Sequence, residues 1–255
     1  MNDLKKGVSN NLSLLPKELI NHVNKTLNPK ISSLNDAINS NAEKKFVDQI
    51  TKSIWFDKNI LELQNEEYYK KYYFPAFENI LKSKEFVKFS EATFFVRVNV
   101  PGIEDYYSKW HQDVGTFLYS SKNNVYRYNS YTLWCSLTES STDNSIEFVD
   151  KKYYDNKIYN SYFKKSIRHG HITFDKSKIP FDENNIKTIK FNFKPGEAVI
   201  FDSLIFHRTV RKAKQIRVSF DLRVSKKNSG SFIKKISFIP SFKRFVFEKT
   251  GFKFF

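Results

Sequence analysis

"KPGEAVIFDSLIFHRTVRKAKQIRVSFDLRV", residues 194–224, decides how this chain folds. Lys194-Pro195-Gly196-Glu197 reads as a turn, because Pro presets one backbone angle and Gly accepts the unusual one. Ala198 to Asp202, Leu204 to Val210 and Gln215 to Val224 then read as three short strands in succession. In the last of them Arg217, Ser219, Asp221 and Arg223 share one face, since side chains on a strand repeat with period two.

The same period governs the chain upstream. Phe94, Val96, Val98 and Val100 alternate with Phe95, Arg97 and Asn99, which predicts a strand ended by Pro101-Gly102. Tyr126 to Leu137, Ser145 to Val149, His171 to Phe174 and Thr188 to Phe193 are further strands. Residues 1–90 carry helical spacing instead. Ser13 and Pro16 open a first helix with Ile20, Val23 and Leu27 on one face. A second pattern runs from about Ile31 to Ile54 and a third from Asn59 to Tyr73. Pro75 breaks the third, and Phe77 to Phe86 forms a short fourth. Helices first, then many strands without helices between them, predict a mainly antiparallel β sandwich or barrel with helical support. The polar, Tyr-rich stretch from Asp150 to Tyr162 is either a lid over a site or a surface insertion.

Composition bounds the class. With 26 Phe and 14 Tyr against 7 Gly and 7 Pro, the 255 residues carry ample core material. No apolar run reaches the length of a membrane span, and the N-terminus lacks the apolar core of a secretory signal. The lone Cys135 allows no intramolecular disulfide, so a reducing cytoplasm is the expected location, with Cys135 as a buried filler. The net charge of +16 suits nucleic acid, an anionic membrane surface or anionic small molecules. No zinc-finger spacing, RNP motif or arginine-rich block accompanies it, which places nucleic acid last. Residues 226–255 form a basic, Phe-rich C-terminal segment. Packing of its Phe residues on the domain is the favoured reading, and docking on an anionic membrane is the other.

The chemistry-bearing residues fall within the β region. His111 and Asp113, two apart on an extended segment, point the same way. His207, far along the chain, can complete one face of a metal. Two imidazoles and a carboxylate with the opposite positions open are the ligand set of non-haem Fe(II) oxygenases. Arg217 offers a planar fork to a carboxylate and Ser219, on the same face, adds a hydroxyl.

Three segments, "WHQDVGTF", "YTLWCSLTESSTDNSIEFV" and the 194–224 stretch, resemble the phytanoyl-CoA dioxygenase-like branch of the Fe(II)/2-oxoglutarate-dependent oxygenases. The resemblance covers about residues 92–224. It implies a fold that is mainly β with α, a double-stranded β-helix (jelly-roll, cupin-like) core over 92–225 braced by helices over 1–91, all one catalytic domain. It implies Fe(II) held by His111, Asp113 and His207, and 2-oxoglutarate held by Arg217 with Ser219. Dioxygen is the third participant, with succinate and carbon dioxide released. Arg223 lies on the face of Arg217, so either arginine can serve the co-substrate while the other pairs with Asp221; Arg217 is favoured by its serine. Where the branch has Gly before the strand at Ile146, this chain has Asn144, which can take its place where φ is positive.

The expected activity is hydroxylation of a small molecule, with the charge favouring an anionic one such as a sugar derivative, a nucleotide-linked compound or a carboxylate. The rivals are desaturation, epimerisation or cyclisation on the same scaffold, or a non-enzymatic jelly-roll binding nucleic acid or a membrane surface. Arg97, Asn99 and Arg168 are the candidate substrate contacts. His169 and His171 read as a polar loop rather than a second metal pair, and Trp110 and Trp134 as core or pocket wall. Tyr131 and Gln112 are within reach of a co-substrate role but are not assigned one. Oligomeric state is left open.

Overall fold

A computed structural model describes residues 7–82, 86–88, 94–101, 109–113, 130–155, 159, 162–165, 170–173, 179–212 and 214–226. The expectations for Arg168, His169 and the segment 227–255 lie outside these residues, as does the side chain of His171.

Helix α1 (Lys17–Asn39) begins after Pro16 and is longer than its sequence pattern predicts. Pro29 lies inside it. A proline there costs about 3 kcal/mol, yet Leu34 and Ala37 continue the buried face of Ile20, Val23 and Leu27, and that burial outweighs the break. The predicted helix over 31–54 is therefore two. α1 ends at Ser40, Asn41 turns the chain at φ 53, and α2 (Lys44–Trp55) follows. The predicted helix over 59–73 is also divided, into α3 (Lys58–Glu62), α4 (Glu66–Tyr68) and a π-helical turn, Tyr69–Tyr73. Pro75 does not break the chain's course. It sits in the first turn of α5 (Phe74–Leu81), which follows the π-helical turn without a break.

The strands are β1 (Leu12–Ser13), β2 (Phe86–Lys88), β3 (Phe94–Asn99), β4 (Ser130–Ser136), β5 (Ile146–Val149), β6 (Tyr162–Lys165), β7 (Gly170–Thr173), β8 (Thr188–Lys190), β9 (Glu197–Asp202), β10 (His207–Thr209) and β11 (Arg217–Lys226). Every pairing is antiparallel. The large sheet runs β1-β9-β4-β11-β2, and β3 pairs with β11 end to end with β2. The small sheet runs β10-β5-β8, and β6 pairs with β7. This is the jelly-roll, mainly β with helical support, that the sequence predicts. The predicted strand over 204–210 begins only at His207, because Leu204 and Ile205 fold back on Asp202 in a turn. The turn at 194–197 is present. Gly196 has φ 86, and a Cβ there would meet the Leu15 carbonyl oxygen at 2.9 Å.

The large sheet has two unlike faces. Leu133, Cys135, Ala198, Ile200, Val218, Phe220, Leu222 and Val224 pack under the helices with Val23, Leu27, Ile54, Tyr73 and Phe77. Phe94 stacks on Phe220 at 4.7 Å, and Tyr73 closes over the same ring at 5.8 Å. The other face turns into the barrel, where Trp134, Val199 and Phe201 meet Ile146 and Phe148 of the small sheet. No helix among the described residues is long and apolar enough to cross a membrane.

Candidate metal centre

Backbone pairing brings the distant ligands together. His111 and His207 form an antiparallel bridge, each N–H donating to the other's carbonyl at 3.0 Å. β10 is in turn held to β5, with His207 opposite Phe148. Residues two apart share a side, so Asp113 joins both imidazoles. Ligand atoms of His111, Asp113 and His207 all lie within 4.8 Å of one another. The two rings are 4.2 Å apart by centroid, and His207 Nε2 is 3.7 Å from Asp113 Oδ1. Asp113 and His207 are buried, while His111 keeps partial contact with solvent.

Gln112, pointing the other way, fastens the segment from behind. Its Nε2 donates to the Leu204 carbonyl at 2.6 Å and its Oε1 accepts from the Tyr159 N–H. The described part of the 150–162 stretch is a packed support. Tyr154 meets Phe206 edge-on at 4.9 Å, and its hydroxyl oxygen accepts from the Phe206 N–H.

The tautomers suit a metal. His111 Nδ1 is 2.8 Å from the Lys109 carbonyl and His207 Nδ1 is 3.0 Å from that of Ile205. A carbonyl only accepts, so each Nδ1 carries the proton and each Nε2 presents its lone pair. Burial, then the neighbouring His207 ring, holds the His111 pKa down to about 3 against the pull of Asp113. Burial likewise lowers that of His207. Both rings are thus neutral at neutral pH, the form that binds metal. Burial pushes the Asp113 carboxyl up, but the Arg223 guanidinium, with the two histidines and Thr132, overcomes it and holds the group ionised. Arg223 Nη2 donates to Oδ1 at 2.7 Å and Thr132 Oγ1 donates to Oδ2 at 2.7 Å.

Behind the bridge sits a second lock. Arg208 stacks on Trp110 at 4.2 Å, donates to Glu147 at 2.6 Å and to Glu183 at 3.2 Å; Trp110 Nε1 donates to Glu183 as well. Each residue beside a ligand histidine is thereby tied to the other. Sequence reasoning did not single out Arg208, Glu147, Glu183 or Thr132. Alternation along 132, 134 and 136 is the only signal for Thr132, and Glu183 carries none.

The inner face of β3 and β11 supplies the wall. Arg217, buried, lies over Trp134 at 5.1 Å and donates to the Asn144 carbonyl at 3.0 Å. Asn144 does not have the positive φ its sequence position suggested. Its Oδ1 instead accepts from the Ser141 N–H, which sets the turn that presents this carbonyl. Ser219 Oγ is fully buried and has no hydrogen-bond partner among the described residues. Asp221 pairs with Arg97 at 2.9 Å, and with neither Arg217 nor Arg223 as the sequence suggested. Arg97 and Arg223 both lie over the Phe95 ring, at 5.2 and 5.0 Å. Asn99 donates to the Val210 carbonyl. Tyr131 stands on the helix-facing side of β4, away from the cluster.

The donors fit a divalent cation of intermediate softness: two neutral imidazoles and one ionised carboxylate. An oxoacid also fits the wall, since a carboxylate beside Arg217 would accept a hydrogen bond from the buried Ser219 hydroxyl.

No protein-family model matches the sequence, and no curated protein matches it. Among solved structures, the chain is similar to apo ThoJ, a non-heme monooxygenase, at 11% identity over 88% of this chain and 76% of that one, with a TM-score of 0.51. It also aligns with AviO1 from Streptomyces viridochromogenes Tue57, at 11% identity over 90% and 94% of the two chains with a TM-score of 0.49. EvdO2 from Micromonospora carbonacea var. aurantiaca, complexed with 2-oxoglutarate, aligns at 15% identity over 67% and 64%, with a TM-score of 0.47. At these identities the likeness to ThoJ is one of fold.

Proposed function

We propose that the chain is an Fe(II)- and 2-oxoglutarate-dependent oxygenase that hydroxylates a small anionic molecule. The observation that carries this reading is the convergence of His111, Asp113 and His207 at a barrel whose inner face, on β11, also holds the buried Arg217 and Ser219. Neither half alone is specific; a two-His, one-carboxylate face next to an arginine–serine pair has the parts one iron and one dicarboxylate need. ThoJ, named a non-heme monooxygenase, agrees with it.

In this reading His111 and His207 hold the ion through Nε2 and Asp113 holds it through a carboxylate oxygen. Arg217 and Ser219 bind the distal carboxylate of 2-oxoglutarate. Iron, 2-oxoglutarate and dioxygen together supply the oxidising power that inserts oxygen into a C–H bond, with succinate and carbon dioxide released. Phe148 and Phe201, at 6.1 and 4.7 Å from the His207 ring, exclude water on the inner side. The basic inner wall and the net charge of +16 support an anionic substrate.

Anaerobic Fe(II) followed by 2-oxoglutarate tests the reading. A weak visible charge-transfer band is expected, and on admitting air, slow succinate release. Absence of both from folded protein overturns the proposal.

A further inference from the structure

Both carboxylate oxygens of Asp113 are held by buried donors. Thr132 and Arg223 are direct partners in the register of β4 and β11, both on the inward face. Thr132 donates to Oδ2 and Arg223 to Oδ1, each at 2.7 Å. Both donors are buried, Thr132 fully and Arg223 to 4% exposure. One cross-strand pair therefore spans both oxygens of a single carboxylate. Oδ1 also faces His207 Nε2.

We propose that Thr132 and Arg223 form a clamp that restricts Asp113 to ligation through one oxygen, so that an additional position on the ion stays open for an exogenous donor. This rests on the metal reading given above. A free carboxylate can grip an ion with both oxygens and so consume two positions. Here Oδ2 is committed to the Thr132 hydroxyl, and the ion shared with His207 is met by Oδ1. Two charge-assisted or short bonds from adjacent rigid strands also fix the carboxylate plane before any ion arrives. Thr132 and Arg223 act through Asp113 and are positioning residues. An open position matters in a centre that must accept two donors of an oxoacid and one more ligand.

Mn(II) alone is the probe, with inner-sphere waters counted by the broadening that 17O-water causes in its electron paramagnetic resonance spectrum. Affinity is titrated in parallel. T132V removes one bond without altering charge; T132S keeps the hydroxyl; R223Q removes the guanidinium. Circular dichroism reports folding. T132V should show one coordinated water fewer than wild type, because release of Oδ2 lets Asp113 swing to two-oxygen ligation; T132S should match wild type, and R223Q, which leaves Oδ2 on Thr132, should keep the wild-type water number. T132V should also bind Mn(II) about tenfold more weakly, the lower end for loss of a group orienting a ligand. If R223Q does not fold, T132V against T132S decides the matter. The clamp is overturned if folded T132V keeps the wild-type water number or folded R223Q loses a water. If wild type binds no Mn(II) beyond what H111A binds, the metal reading itself fails, and the clamp with it.

Discussion

One strand, β11, carries both of the molecule's unlike regions. Its even positions, Val218, Phe220, Leu222 and Val224, are fully buried under the helices. Its odd positions, Arg217, Ser219, Asp221 and Arg223, are equally hidden from solvent but face the barrel interior. Burial is the same and the chemistry opposite. On the helix side each buried side chain contributes roughly 1.5–3 kcal/mol by leaving water. On the barrel side, buried charges are tolerated because Arg223 meets Asp113 and Arg97 meets Asp221. Apolar positions hold the sheet up; the charged ones have little to offer stability, and the proposed function gives them a ligand to serve.

If that division is right, the two faces should fail differently. The largest effect should come from the cluster itself. His207→Ala is expected to abolish Mn(II) binding and 2-oxoglutarate turnover while the thermal unfolding midpoint of the metal-free protein moves little; isothermal titration and succinate release measure the first, calorimetry the second. A large loss of metal-free stability would mean that His207 is core rather than ligand. On the opposite face, Phe220→Ala should cost about 3–5 kcal/mol in urea unfolding, as large aromatic-to-alanine changes in a packed core do. Phe220 stacks on Phe94 and meets Tyr73 at a tilt, and its removal leaves a cavity between the sheet and the helices. Metal affinity of the folded fraction should not change.

The sequence exposed the two faces because period two is written locally. H-x-D on an extended segment places two candidate ligands on one side, and Arg217 and Ser219 follow the same rule in β11. Most of the strands were legible for the same reason; β1, β2 and β6 were not, Phe86 having been read as the end of a helix, and the strand expected from Leu204 starts only at His207 after the turn on Asp202. What stayed hidden depends on partners brought together in space. Thr132 meets Asp113 only through the pairing of β4 with β11 and the seating of the Trp110–Asp113 segment. Glu183 meets Arg208 and Trp110 from more than twenty residues away in either direction. The helix boundaries were misread because burial of Leu34 and Ala37 carries α1 past the expected gap after Leu27, and because Pro75, read as a break, lies in the first turn of α5 directly after a π turn. Asn144 was misread because an Asn before a strand has two uses, a positive φ or side-chain hydrogen bonding, and this one takes the second.

A smaller effect sharpens the comparison within the inner face. Arg217→Ala should weaken 2-oxoglutarate binding by roughly 10–100-fold, the equivalent of losing hydrogen bonds to a charged group. Mn(II) affinity measured without co-substrate should stay at the wild-type value, since Arg217 contacts Trp134 and Asn144 and no ligand residue among the described contacts. Arg223→Ala should do the reverse and alter metal binding first. If the two variants behave alike, the inner wall is a single basic patch and Arg217 has no separate task.

The smallest effect belongs to the helix side, far from the cluster. Asp57 caps α3, accepting from the N–H groups of Asn59 and Ile60, and pairs with Lys30 of α1. Burial pushes its carboxyl up, but Lys30 and the two backbone donors outweigh this and bring it below the usual value. A carboxyl whose folded pKa lies below the unfolded one binds its proton more readily in the unfolded chain, so stability rises with pH across the interval between the two. The contribution is therefore complete above the unfolded value of about 3.9 and is lost as pH falls through the lower folded value. Asp57→Ala should cost about 1 kcal/mol at neutral pH, as loss of a helix cap does. That deficit should vanish in strong acid, where the wild-type carboxyl is protonated as well. Urea unfolding of both proteins at pH 7 and near pH 2 measures it. A deficit that persists unchanged in acid would assign Asp57 to packing rather than charge, and a change in metal affinity would mean that the helical face and the barrel interior are coupled after all.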